Sequence, residues 1–202
     1  MYKRQTESIG SRLLAKLICR FAERYPLVQF HLYNEMADNI KDRLDKGLAD
    51  IGLLLEPVDV QKYEYLRLPQ KETWGVLMRC DHPLAGQEQI VPEDIIPYPL
   101  ILPLREKVRQ DILNWLGREE KDLRIPLSYT LLSNAVLLVE EGLGCAFCLD
   151  GALAVHSRPN LKFVPLFPEK VTRSVLVWKK NQLFSPATSL FIQQINLMRA
   201  QI

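Results

Sequence analysis

Leu13-Leu14-Ala15-Lys16-Leu17-Ile18-Cys19-Arg20-Phe21, then Val28-Gln29-Phe30-His31-Leu32, then Asp50-Ile51-Gly52-Leu53-Leu54-Leu55: these three segments decide the fold. In the first, Ile9, Leu13, Leu14, Leu17, Ile18 and Phe21 follow the spacing of one broad helical face. Pro26 stops that helix, because a proline ring disfavours helical geometry at the residue before it. The second alternates apolar and polar residues, the period of a strand. A helix from Glu35 to Lys46 follows, with Met36, Ile40 and Leu44 four apart and Gly47 placed for a left-handed C-terminal cap. The third is an unbroken apolar run, as in strands covered on both faces. Strands separated by single amphipathic helices require right-handed crossovers and a parallel sheet. Ligands meet such sheets at the carboxyl ends of the strands, where helix N-termini direct backbone N–H groups outward.

The composition sets limits on function. The 202 residues suffice for one domain or two small ones with a substantial core. With 48% hydrophobic and 25% charged residues, the chain is an ordinary globular one. Its net charge of +2 argues against this chain itself gripping DNA, which needs a concentrated basic face. No apolar run reaches the length of a membrane span and no signal-peptide pattern is visible, so a cytoplasmic protein with no membrane partner is expected.

Away from the opening stretch, the sequence predicts a loop over 56–62 and strands over 63–68 and 73–79. A turn follows at Cys80 to Pro83, and an acidic helical turn at Pro92-Glu93-Asp94-Ile95. A buried strand over 100–102, a helix over 105–116 closed by Gly117, and a strand over 127–130 come next. Ser133 reads as the N-cap of a helix over 133–141, ended by Gly142. Strands over 144–149, 161–166 and 172–178 follow, and Pro165 marks an edge or a strand end. Ser185-Pro186 starts a closing helix with Leu190, Phe191, Ile195 and Met198 as its apolar positions. Only Met1 to Thr6 precedes the first helix, leaving room for a short strand or for one entered partway. Met1 reads as an initiator on a fragment.

Enzymatic motifs are missing. Histidines 31, 82 and 156 stand in a strand, an Asp-His-Pro turn and a loop beside Ser157 and Arg158, and no nucleophile elbow, HExxH, P-loop or GxGxxG occurs. Neither a catalytic residue, a metal site nor a cofactor is expected. Cys145-Ala146-Phe147-Cys148 matches CxxC, but within a buried strand residues three apart point to opposite faces. Core cysteines are therefore the favoured reading, a thiol switch a weaker one, and zinc lacks further ligands.

Four segments together resemble a known family. They are Leu13 to Pro26; Leu44-Asp45-Lys46-Gly47-Leu48-Ala49-Asp50-Ile51-Gly52-Leu53; Val76 to Ala85, with Cys80-Asp81-His82-Pro83-Leu84 at its centre; and Val139-Glu140-Glu141-Gly142-Leu143-Gly144. In this order and spacing they resemble the effector-binding domain of LysR-type transcriptional regulators over nearly the whole chain. Ala15 stands where the family usually has proline.

That resemblance implies a periplasmic-binding-protein type II-like α/β fold, two Rossmann-like lobes joined by two crossover strands. Lobe I would comprise 1–78 with 171–202, and lobe II 79–170. It implies a small-molecule effector bound in a cleft lined by Thr6, Ser8, Asn34, Glu35, Leu104, Arg105, Leu132, Ser133 and Asn134. Helix N-termini, small polar groups and one arginine suit an anionic organic molecule. Six of these residues also have a plainer role: Thr6, Ser8 and Ser133 as helix caps, Arg105 as a surface cation, Asn34 and Glu35 as helix-starting residues. The resemblance further implies a homodimer through the 8–24 and 133–141 helices, whose apolar stripes look wider than their own sheet requires, and a tetramer in the full-length protein. DNA would be met only through an upstream winged helix-turn-helix domain that this chain lacks. A free-standing solute-binding protein of the transport type is the alternative, and a redox sensor using Cys145 and Cys148 a third.

Overall fold

The computed structural model describes residues 2–5, 9–151 and 158–199, with side chains described over 10–151 and 158–197. Thr6, Ser8, His156 and Ser157, and the side chains of Ile9 and Met198, lie outside the described residues.

In chain order the elements are β1 (Tyr2–Gln5), α1 (Ile9–Arg24), β2 (His31–Asn34), α2 (Ala37–Asp45), β3 (Ile51–Leu55) and β4 (Tyr63–Arg79). Then come α3 (Pro92–Ile95), β5 (Leu100–Pro103), α4 (Glu106–Leu116), β6 (Leu127–Tyr129), α5 (Leu132–Glu140), β7 (Cys145–Leu149) and β8 (Leu161–Pro165). The described elements close with β9 (Val171–Lys179) and α6 (Pro186–Arg199). The chain divides into two compact units, residues 1–71 with 173–202 and residues 72–172.

In unit one, β1 pairs in parallel with β2 (Tyr2 opposite His31, Gln5 opposite Asn34) and with β3 (Lys3 opposite Ile51). β9 runs antiparallel to β3, with Leu53 opposite Leu176, so the sheet is mixed rather than wholly parallel. The apolar run of β3 is buried at every residue because helices cover both faces. Ile51 and Leu53 join Leu14, Leu17 and Phe21 of α1 and Phe191 and Ile195 of α6 on one side. Leu54 joins Ile40 and Leu44 of α2 on the other. Burying each such side chain contributes about 1.5–3 kcal/mol. Phe21 forms the aromatic centre, with Phe191 and Phe30 in edge-to-face contact at 5.1 and 5.9 Å.

Several local expectations are met for their stated reasons. Gly47 ends α2 with φ 69°, and the N–H of Leu48 donates to the carbonyl of Arg43 at 2.8 Å, closing the helix in the left-handed cap. Ser185 caps α6: its Oγ accepts from the N–H of Thr188 at 3.1 Å, with Pro186 at the first helical position. Other expectations need correction. The strand expected at 28–32 lies at 31–34: Val28 and Phe30 alternate because they approach the unit-one core, whereas ladder hydrogen bonding is set by the register with β1. The strands expected at 63–68 and 73–79 are one strand of 17 residues. Pro69 is tolerated within it, at an exposed position. Leu13 and Ile18, at the margins of the α1 stripe, pack against the unit-one core. The outward side of α1 instead presents Arg12, Lys16, Arg20 and Arg24 at four-residue intervals.

Unit two repeats the plan. β5 is central, parallel to β6 (Pro103 opposite Tyr129) and to β7 (Leu100 opposite Cys145). β4 pairs antiparallel with β7 on one side and β8 on the other. At Gly75 a Cβ would lie 2.2 Å from the Phe163 ring and 2.5 Å from the Val164 carbonyl oxygen, so only glycine lets β8 approach β4. α5 packs Leu132, Ala135, Val136 and Val139 against Ala146 and Cys148 of β7.

Candidate functional site

In unit two, the carboxyl ends of β5 and β6 lie side by side, and each leads within three residues into a helix. The N–H of Leu104 donates to the carbonyl of Tyr129 at 2.7 Å, which fixes the two exits against each other. Arg105 is the N-cap of α4 and Leu131 the N-cap of α5, both with extended backbone, and neither forms a side-chain cap hydrogen bond. Ser133 is thus corrected from N-cap to second residue of α5, with its side chain half-buried. Helix N-termini without side-chain caps retain outward N–H groups and the positive end of the helix dipole. Two of them at one sheet edge make a local environment suited to an anion.

The predicted residues divide by role. Leu104 is half exposed at 49%, Arg105 is half-buried, and Asn134 is exposed in the first turn of α5. Leu132 is buried in the unit-two core, so it shapes the loop from beneath. In unit one, Asn34 is the exposed last residue of β2, opposite Gln5 at the carboxyl end of β1. Glu35 precedes α2, and its Oε2 lies 3.3 Å from Nε of Arg43, whose guanidinium sits 5.9 Å above the Tyr33 ring. Arg43 offsets the Glu35 charge. Thr6 and Ser8 lie outside the described residues.

Sequence reading missed the groups that brace these ends. The Tyr129 hydroxyl donates to the Phe147 carbonyl at 2.6 Å, reaching from β6 to β7 across β5. Asp150, just beyond β7, accepts from the N–H groups of Thr73 at 3.2 Å and Gly151 at 2.7 Å. Arg109 of α4 grips Glu120 with its guanidinium and donates to the Ser128 hydroxyl, locking α4 to β6. Apart from the adjacent Asp150 and Gly151, these partners are separated in sequence and share no motif, so no sequence signal joins them.

Cys145 and Cys148 are both buried and free, on opposite faces of β7. Burial pushes the Cys145 thiol up to about 12, and burial followed by the nearby Asp150 charge raises that of Cys148 further. Among the described residues no three His, Cys, Asp or Glu side chains are grouped to hold a metal ion. Nor is any described helix long and apolar enough to cross a membrane.

The family described as LysR substrate binding domain matches residues 5–198. The chain belongs to this family. As a LysR substrate-binding domain it is 26% identical over 189 residues to the uncharacterized HTH-type transcriptional regulator YvbU of Bacillus subtilis, covering 89% of the chain and 61% of the relative. It is 26% identical over 198 residues to a probable RuBisCO transcriptional regulator of Trichormus variabilis, covering 94% and 59%. It therefore spans about 60% of the length of these curated relatives. Among solved structures, it resembles the effector binding domain of QuiR in complex with shikimate (TM-score 0.81, 18% identity, 96% of this chain and 93% of that one). It also resembles the regulatory domain of CcmR from Synechocystis PCC6803 in complex with 2-PG (TM-score 0.80, 18% identity, 96% and 93%). These likenesses establish the periplasmic-binding-protein type II-like fold of the LysR substrate-binding domain.

Proposed function

We propose that this LysR substrate-binding domain senses a small anionic organic effector and passes the signal to a DNA-binding segment elsewhere in a longer regulator. The observation that carries this reading is the pair of helix N-termini without side-chain caps at the β5/β6 edge, with Arg105 between strand and helix. Leu104, Arg105, Leu132, Ser133 and Asn134 are the unit-two residues assigned to the effector, and Thr6, Ser8, Asn34 and Glu35 those of unit one. Binding would shift the population of conformations by the effector's differential affinity for them. The relatives' names as transcriptional regulators and the ligands named in the QuiR and CcmR structures support this role over catalysis or solute transport.

We infer a homodimer through the 8–24 and 133–141 helices, in the cytoplasm. The basic row Arg12, Lys16, Arg20 and Arg24 on α1 complements exposed Glu141 beside α5, and Leu137, 51% exposed on α5, offers apolar area. Leu137→Glu should shift the mass measured by light scattering toward the monomer.

The deciding experiment is calorimetric titration with shikimate, 2-PG and a panel of small organic acids. A ligand of the folded state must also raise the melting temperature by mass action. Saturable binding of an acid, weakened in Arg105→Ala, supports the reading; binding only of cations or wholly apolar compounds overturns it.

A further inference from the structure

Unit two holds a cavity of about 370 Å³ at the opposite end of its parallel strands from the residues assigned to the effector. It opens among the end of β4, the turn after it, the loop before β5, the end of α5 and the start of β7. Its polar floor is Cys145, the first residue of β7, whose Sγ lies 3.4 Å from Nε2 of His82. The side walls are Pro83, Pro99, Val139 and the Tyr98 ring, which meets the His82 ring edge-to-face at 4.4 Å. β7 spans five residues, so this floor and the carboxyl-end site lie roughly 15 Å apart along the strand.

The proton on His82 decides the chemistry. Its Nδ1 accepts from the N–H of Leu84 at 3.2 Å, so in the neutral ring Nε2 carries the hydrogen and donates toward sulfur. Burial favours that neutral ring by lowering the His82 pKa. A protonated Nε2 offers no lone pair to a metal shared with Cys145, and it cannot take the thiol proton as a base. The elevated thiol pKa likewise argues against a nucleophilic cysteine. The charges at the rim are also engaged. Arg79 donates to both carboxylate oxygens of Asp81, at 2.9 and 2.6 Å, and to the Glu140 carbonyl at 2.8 Å. Soft sulfur, two aromatic rings, proline and valine are left facing the space. The volume is that of a small-ligand pocket.

We propose that this cavity is a second small-molecule site, taking an uncharged aromatic compound of one or two rings. The ring would stack against Tyr98 and His82 and rest on the Cys145 sulfur, contacts that need no ionic partner. This site is independent of the effector reading, because it uses none of the residues assigned there.

The test is ligand-observed NMR and calorimetry of the intact protein with phenol, indole and benzoate as probes. Phenol and indole should saturate at millimolar concentration, and benzoate should bind much less well. Tyr98→Ala, at a half-buried position, should weaken indole roughly two- to tenfold. Cys145→Met, which pushes bulk into the floor, should abolish binding, while Arg105→Ala should leave it unchanged. Absence of saturation by either neutral probe overturns the proposal, as does binding that survives Tyr98→Ala intact or is lost in Arg105→Ala. If Cys145→Met does not fold, Tyr98→Ala decides.

Discussion

The Tyr129 hydroxyl donates to the Phe147 main-chain carbonyl across 2.6 Å, so the short edge strand β6 is tied to β7 over the strand between them. Removing that hydroxyl should loosen the exit from which α5 starts. Tyr129→Phe is expected to cost about 1 kcal/mol in urea unfolding. It should also weaken binding of an acid effector by displacing the 131–134 turn. An unchanged urea midpoint would refute the stapling role.

Arg105 tests the proposed effector site more directly. A hydrogen bond to a charged group is worth about 1.5–3 kcal/mol, so Arg105→Ala should weaken an anionic effector roughly ten- to hundredfold. Its side chain is only half-buried, so the melting temperature without ligand should barely move. Calorimetric titration reads the first effect and thermal unfolding the second.

The Arg79 fork sets an acid-side pH dependence. Its hydrogen bonds, with its charge, hold the Asp81 carboxyl below the usual carboxylate range. A depressed folded-state pKa contributes stability that is fully present above the unfolded value and is lost as pH falls through the folded one. Asp81→Asn should therefore flatten the loss of stability below about pH 4. Chemical unfolding at pH 7 and pH 3 compares the two proteins. The effect should be small, since both groups face solvent.

Gly75→Ala is expected to be severe. Its new methyl would meet the Phe163 ring and the Val164 carbonyl well inside contact distance, and overpacking of this kind costs about 1–3 kcal/mol or more. Loss of soluble yield or a melting temperature lowered by several degrees is the expected reading.

Oxidation with diamide should leave Cys145 and Cys148 unpaired. They lie on opposite faces of one strand, where a bridge would need the strand to unwind. Mass spectrometry of the intact protein, before and after thiol alkylation, detects an intramolecular bond if one forms.

How much of this was legible in sequence depends on whether the signal was local. Helical spacing found α1 and α6, and the unbroken apolar run identified β3 as a strand with two covered faces. Gly47 and Ser185 announced their caps because capping acts within a few residues. β2 was misplaced because Val28 and Phe30 are apolar for packing, while a partner strand sets the hydrogen-bond register. Ser133 looked like a cap because residue type is a weak guide once a helix can begin one residue earlier. At the candidate site, Arg105 and the 131–134 turn came from resemblance, and the structure explains how they share a sheet edge. The contact of His82 with Cys145, and the reach of Tyr129 to Phe147, join residues that only folding brings together.

Phe21 and Phe191 meet at 5.1 Å, one near the beginning of the chain and the other near its end. Protein synthesis separates them in time: a ribosome must deliver the whole of residues 72–172 before the second ring exists. During translation α1 therefore waits with its central aromatic side chain lacking its closing partner, and nascent unit one is the part of the molecule with most to gain from a chaperone's shelter.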